Sequence, residues 1–205
     1  MRRRVRGLRP AARDRWMVSY ADMVTLLFAC FAALYASSVV PANAAADTTP
    51  PLESPAVANA ELAAAITSAV DRVDPSGEVV VKVDPRGVVI SLPEAGAFAV
   101  GQADLSQAAR QVIRELAEVL ERETGEIRIE GHSDDVPITT SRFASNWDLS
   151  AARATEVIRF LLAQTTIAPG RLSAAGYGQF RPIVVNDSPE SRARNRRVDI
   201  VITTK

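Results

Sequence analysis

The sequence predicts an α/β protein with one N-terminal transmembrane helix, a linker, and a domain in which two main helices cover a mixed three- to four-stranded sheet. An apolar run from Met17 to Val40 follows an arginine-rich block, and a stretch rich in proline and alanine follows at 41–55. Strand-like and helix-like patterns then alternate from residue 76 to 205. A chain of 205 residues is long enough for an anchor and one domain of ordinary size.

The composition excludes several classes of function. Basic and acidic residues number 24 each, so the net charge gives no reason to expect nucleic-acid binding. One cysteine, Cys30, rules out an intrachain disulfide, and with His132 as the single histidine the chain cannot form a cysteine–histidine zinc cluster. We expect no metal and no cofactor, although counting leaves open a carboxylate site for magnesium or calcium.

The first forty residues predict a membrane anchor. Residues 1–16 form a basic tail, and positive charge accumulates on the cytoplasmic side of a membrane segment. A helix over 17–40 is roughly 36 Å long and spans a hydrocarbon core of about 30 Å. We therefore expect a single-pass inner-membrane protein with a cytoplasmic N-terminus and a periplasmic C-terminal domain. The alternative is a cleaved signal peptide, which small residues at 41–46 would suit, but the apolar run is longer than a usual signal core.

The apolar run carries one carboxylate, Asp22. A lone aspartate at the centre of a membrane helix costs about 2.5–3.5 kcal/mol, and Asp22 lies about 8 Å inside the segment. Such residues commonly belong to ion pathways, whereas the alternative is an ion pair with an arginine of the tail. Ser19 and Thr25 lie three residues to either side, on the same helix face. One helix cannot enclose a pathway, so partner helices are expected from a second copy and from a polytopic subunit.

Residues 41–75 are predicted to be a linker that contains a helix. Segment 41–55 lacks periodicity and favours an extended tether. Segment 56–73 has apolar residues at spacings of three and four, which is typical of an amphipathic helix.

The folded domain is predicted to cover residues 76–205 and to begin with a hairpin. Two runs rich in β-branched residues, 78–84 and 88–93, flank a Pro-Arg-Gly turn. A helix follows over 104–125, with Asp104 or Ser106 as its cap.

The second half of the domain repeats the alternation. Residues 126–134 alternate as a strand does, and 148–165 have the apolar spacing of a second helix. Short strands are predicted at 171–178 and 196–203. Two helices on a mixed sheet make an α/β sandwich.

Catalysis is not predicted, and the chain is not expected to be an enzyme. The most reactive group of residues is the segment "GHSDD" at 131–135. Adjacent residues on an extended chain point in opposite directions, so His132 and Ser133 do not form a base–nucleophile pair. The better interpretation of His132 is a structural one.

The transmembrane segment "WMVSYADMVTLLF" resembles the signature of the MotB family, the B subunits of flagellar motor stators. The resemblance implies that Asp22 carries the ion, with a proton favoured and sodium as the alternative. It also implies a dimer of this chain and a MotA-like polytopic channel subunit as partner.

The motifs "GHSDD", "SNWDLSAARA" and "SRARNRRVDIVI" resemble the OmpA-like peptidoglycan-binding domain over roughly residues 90–203. In that family an aspartate holds the ammonium and an arginine the carboxylate of the diaminopimelate in the stem peptide, which implies these roles for Asp134 and Arg153. The remaining matches are expected to line the pocket or to support the site or the fold. They are Asn146, Leu149, Asn195, Arg196 and Arg197.

The two resemblances together imply an ion-conducting stator subunit that couples ion flow through Asp22 to torque while its periplasmic domain grips peptidoglycan. Three alternatives remain: a tether between membrane and wall without ion flow, the same motor architecture serving a non-flagellar process, and a wall-binding protein whose signal has been cleaved.

Overall fold

The computed structural model describes residues 15–39, 55–74 and 77–203. The chain divides into two compact units, 1–50 and 51–205, which are described separately. Residues 1–14 of the predicted basic tail and 41–54 of the proline-rich part of the linker lie outside the described residues. The predicted domain boundaries remain predictions.

The first unit contains helix α1, Arg15–Val39. Its sequence contains no proline or glycine, and the stretch Trp16–Tyr35 has a mean hydropathy of 1.8, so it is long and apolar enough to cross a membrane. Asp22 lies on this helix with its side chain exposed in the single chain. The Thr25 hydroxyl donates to the Asp22 backbone carbonyl at 2.8 Å, a bond within the helix that does not involve the carboxylate.

The second unit is built on a five-stranded mixed sheet, and the predicted fold class is confirmed. The strands are β1 (Val80–Asp84), β2 (Gly87–Pro93), β3 (Glu126–His132), β4 (Leu172–Gly176) and β5 (Arg197–Thr203). The sheet has five strands rather than three or four, because the predicted hairpin joins it through antiparallel pairing of β2 with β5. Strands β3 and β4 are parallel, and β3 pairs antiparallel with β5, giving the order β1-β2-β5-β3-β4.

Serine side chains cap the starts of two helices of this unit. Ser106 accepts a hydrogen bond from the Ala109 amide at 3.0 Å, and Ser145 accepts one from the Asp148 amide at 3.3 Å. A short helix after Ser188 was not predicted. The helices of this unit are α2 (Pro55–Asp71), the short turn α3 (Glu94–Ala97), α4 (Gln107–Arg122), α5 (Asn146–Gln164) and α6 (Pro189–Asn195).

One face of the sheet carries the hydrophobic core. The alternating isoleucines of β3 and β5 are fully buried there, together with the apolar stripe of α4. Helix α2 belongs to the same core because Leu62, Ile66 and Val70 are buried in it. The segment predicted as a helix within the linker therefore packs on the domain.

Helix α5 lies very close to β3 and β4. A Cβ added to Gly131 would lie 2.0 Å from the Ser150 carbonyl oxygen, and one added to Gly176 would lie 2.5 Å from the Ala151 amide nitrogen. The two glycines are paired in register across β3 and β4. Only glycine permits this approach, which fixes where α5 begins relative to the end of β3.

The other face of the sheet carries a buried polar cluster around His132. Arg86 Nη1 lies 2.6 Å from Glu130 Oε2, and Arg197 Nε lies 3.1 Å from Asp199 Oδ2. His132 Nε2 lies 3.5 Å from Asp199 Oδ2. The atoms of Glu130, His132 and Asp199 that could bind a metal ion lie within 4.8 Å of one another, as they would in a metal site. Two guanidinium groups already balance the two carboxylates, however, so the cluster favours a structural role over cation binding.

Burial, the largest effect, and the charge of Arg197 together lower the pKa of His132 to about 4, against the opposing effect of Asp199. The imidazole is therefore neutral in the fold at neutral pH.

We expect Gly131→Ala to lower the free energy of unfolding by about 2–3 kcal/mol, because the new methyl group overlaps the Ser150 carbonyl. Urea unfolding measures this value. Gly170→Ala is the matched control, since nothing lies within 4 Å of the added Cβ. Equal stability of the two variants would contradict the close packing of α5.

We expect His132 to make stability depend on pH. Its pKa is lower in the folded chain than in the unfolded chain, so the unfolded chain takes up the proton first as pH falls. The free energy of unfolding should be unaffected by this group above pH 6.5 and fall by about 3 kcal/mol between pH 6.5 and 4. His132→Asn removes the titrating group, so wild type minus variant isolates the effect. If the free energy of unfolding depended on pH in the same way in both proteins, the assigned effect of His132 would be contradicted.

Candidate functional site

A cavity of about 470 Å³ opens where β2 and β3 end and α5 begins. Five of the seven residues predicted for the wall-binding site line it, and two do not. The five are Asp134, Asn146, Leu149, Arg153 and Arg196.

Two elements bring most of these side chains together. Asp134 stands in the loop directly after β3, and the first turns of α5 present Asn146, Leu149 and Arg153. Residues three and four apart share a helix face, so these positions point to one side. The close approach of α5 to β3 then sets this face against the loop.

Asp134 is 6% exposed and is held by two donors. Its Oδ2 accepts a hydrogen bond from Arg196 Nη1 at 2.6 Å, and its Oδ1 accepts one from the Val136 amide at 3.1 Å. The Asn146 side-chain amide donates to the carbonyls of Asp134 and Val136, at 3.2 and 2.9 Å. Asn146 therefore fixes the loop that carries the aspartate.

Arg153 is 2% exposed, which is exceptional for an arginine. Its Nε donates to the Gln102 carbonyl at 2.8 Å, its Nη2 pairs with Glu94, and its guanidinium carbon lies 5.0 Å from the Phe98 ring centroid. A hydrogen bond, an ion pair and a cation–π contact together hold the charge at one position.

Sequence reasoning missed Glu94, which is central to the cavity. One carboxylate oxygen pairs with Arg153, and the other lies 2.5 Å from Arg196 Nε. Glu94 follows β2 directly, and its backbone amide donates to the Arg196 carbonyl at 2.9 Å. The available signal was an acidic residue at the end of a buried strand, a common position for binding residues.

Arg196 joins the two acids. Burial would lower its pKa, but the hydrogen bond to Asp134 and the charge of Glu94 outweigh burial and raise it. Its side chain is 34% exposed, so it stands at the rim of the cavity while Arg153 lies inside.

These four side chains form an alternating line of charge: Arg153, Glu94, Arg196 and Asp134. The cavity thus offers both cationic donors and anionic acceptors within a small volume. The hydroxyl of Ser133, which also lines the cavity, donates to the Asp134 carbonyl at 3.1 Å, and His132 is not among the described residues of the lining. The lining favours binding of a charged group over nucleophilic chemistry.

The remaining two predicted residues support the fold. The Asn195 side-chain oxygen accepts hydrogen bonds from the Ile183 and Val184 amides, at 2.9 and 3.2 Å. Arg197 pairs with Asp199 on the polar face of the sheet. Successive residues point to opposite faces of a strand, which explains why Arg196 reaches the cavity and Arg197 does not.

Two family models match the chain in separate regions. Residues 2–49 match the model described as membrane MotB of the proton-channel complex MotA/MotB, and residues 97–196 match the OmpA family. The second range contains the cavity residues except Glu94.

Relatives match over most of the length. Motility protein B of Helicobacter pylori is 30% identical, over 94% of this chain and 87% of its own. A crystal structure of a MotB-like protein from Desulfovibrio vulgaris is 31% identical with a TM-score of 0.66, covering 72% of this chain and 95% of that one. The cell wall anchor of the type VI secretion system from Pseudomonas aeruginosa is 33% identical with a TM-score of 0.62, covering 68% and 97%.

The apolar N-terminal helix, the fold and the agreement with relatives along nearly the whole chain lead to one assignment. The chain belongs to the MotB family and carries an OmpA-like domain at its C-terminal end.

Proposed function

We propose that this chain is the wall-anchored subunit of an ion-driven stator. The observation that carries the proposal is one chain that combines an apolar helix bearing a carboxylate with a domain whose cavity is lined by Asp134, Arg153 and Arg196. The relatives named motility protein B support it, as does the family description of a MotA/MotB proton channel.

In the membrane, Asp22 takes up a proton on one side and releases it on the other. The helix exposes all its described side chains, so neighbouring helices must enclose the pathway. They come from a second copy of this chain and from a MotA-like polytopic subunit. Sodium is the alternative ion.

The anchor lies in the inner membrane with its N-terminus in the cytoplasm and the OmpA-like domain in the periplasm. Moving one elementary charge across the membrane releases about 2.3 kcal/mol for each 100 mV of membrane potential.

In the periplasm, the cavity holds the stem peptide of peptidoglycan. Asp134 faces the ammonium of diaminopimelate, and Arg153 faces its carboxylate with a planar donor group that lysine cannot copy. Asn146 and Leu149 shape the cavity around them. A motor unit held in this way converts ion flow into torque instead of rotating with its rotor.

A second candidate is a passive tether between membrane and wall. The similarity to the cell wall anchor of a type VI secretion system favours it, because that protein is named for anchorage alone. An equivalent motor that serves a non-flagellar process is a variant of the first proposal. In either motor, replacing Asp22 stops ion flow, whereas a tether tolerates the replacement.

We expect Asp22→Asn to abolish cation flux in vesicles that contain this chain and its polytopic partner subunit, because an amide cannot carry a proton. Asp22→Glu, which keeps a carboxylate, is the control and should retain part of the flux. Both variants should insert and assemble as the wild type does. Undiminished flux through the asparagine variant would leave the tether as the better account.

We expect Asp134→Asn to weaken binding to isolated cell-wall sacculi about tenfold or more, since the ammonium loses its charged acceptor. Asp135→Asn is the matched control, because Asp135 is exposed, pairs with Arg192 and does not line the cavity. Cosedimentation of the full chain in detergent measures both. Equal loss in the two variants would place the binding site elsewhere.

A further inference from the structure

Glu94 has a position that the proposed wall-binding function does not require. We propose that it sets the net charge of the cavity to zero and thereby selects a ligand head group that carries one ammonium and one carboxylate. This inference rests on the proposed peptidoglycan binding and specifies which end group the cavity accepts.

The contacts of Glu94 occupy only part of each arginine. Arg153 uses Nε for the Gln102 carbonyl and Nη2 for Glu94, so among the described residues its Nη1 makes no hydrogen bond. Arg153 lines the cavity. A ligand carboxylate can therefore bind Arg153 without displacing Glu94, and Glu94 holds the guanidinium in place for it.

The charges of the lining balance. Arg153 and Arg196 contribute two positive charges, and Glu94 and Asp134 contribute two negative ones. Three of these four residues are at least nine-tenths buried, so an added net charge would be poorly screened by water. A zwitterionic head group leaves the balance unchanged, whereas a head group with only a carboxylate or only an ammonium disturbs it.

Removing the charge of Glu94 should shift this preference in a defined direction. The cavity would gain one positive charge, so a carboxylate-only head group would be accepted better and an ammonium-only head group worse. A purely structural role of Glu94 would instead weaken all ligands by the same factor.

The test measures the affinity of the full chain in detergent for three peptides by calorimetry. The first is a stem tripeptide ending in meso-diaminopimelate, whose side-chain end carries one ammonium and one carboxylate. The second is the same peptide with that amine acetylated, and the third ends in lysine, whose side-chain end carries an ammonium alone. Wild type should bind the first about tenfold more tightly than either of the others. In Glu94→Gln the penalty for acetylation should fall to about twofold or less, and the lysine penalty should grow.

Two further variants guard against misfolding and general effects. Arg196→Gln removes a positive charge from the half-buried rim, so it should shift the preference the other way and relieve the lysine penalty. Glu118→Gln, on the exposed face of α4, is the matched control and should keep the wild-type ratios.

Unchanged ratios among the three peptides in both Glu94→Gln and Arg196→Gln would overturn the role of Glu94 while leaving wall binding intact. Failure of the wild type to bind any of the three peptides would overturn the proposed wall-binding function itself. Opposite shifts in the two variants are the result that the charge balance requires.

Discussion

The buried guanidinium of Arg153 is the constraint on which the cavity depends. A charge that is 2% exposed requires partners, and removing one partner of a buried pair costs about 3–5 kcal/mol. Glu94 supplies the opposite charge and, through its second oxygen, also holds Arg196, which in turn holds Asp134. The ends of β2 and β3, the start of β5 and the first turns of α5 are thus joined by one line of charges.

The backbone makes this arrangement possible. Gly131 and Gly176 let α5 approach the sheet, so the helix face with Asn146, Leu149 and Arg153 lies against the loop after β3. Alternation along the chain where β5 begins then sends Arg196 into the cavity and Arg197 to the polar face around His132. Of these neighbouring arginines, one therefore lines the cavity and the other forms a structural ion pair. The same sheet carries an apolar core on one face and a charge-balanced cluster on the other.

Local patterns were enough to predict much of this fold. The helix bearing Asp22, the hairpin and helices α4 and α5 follow from periodicity and capping residues such as Ser106, which act over a few residues. Motif resemblance drew attention to Asp134 and Arg153. Glu94 could not be predicted in this way, because its partner Arg153 lies 59 residues away and only the packing of α5 brings them together. The motif names Asn195 together with Arg196, but its side chain holds a loop, a role that no local pattern reveals.

In the proposed function the helix carries an ion and the C-terminal domain grips a zwitterionic group of the wall, and the described contacts support the proposed grip in most detail. A crystal structure of residues 51–205 with a stem tripeptide ending in meso-diaminopimelate tests it most directly. We expect the side-chain carboxylate of the diaminopimelate to contact Arg153 and its ammonium to lie within hydrogen-bond distance of Asp134, with the pair between Glu94 and Arg196 still in place. A peptide bound outside this cavity, or one that displaces Glu94 from both arginines, would contradict the account.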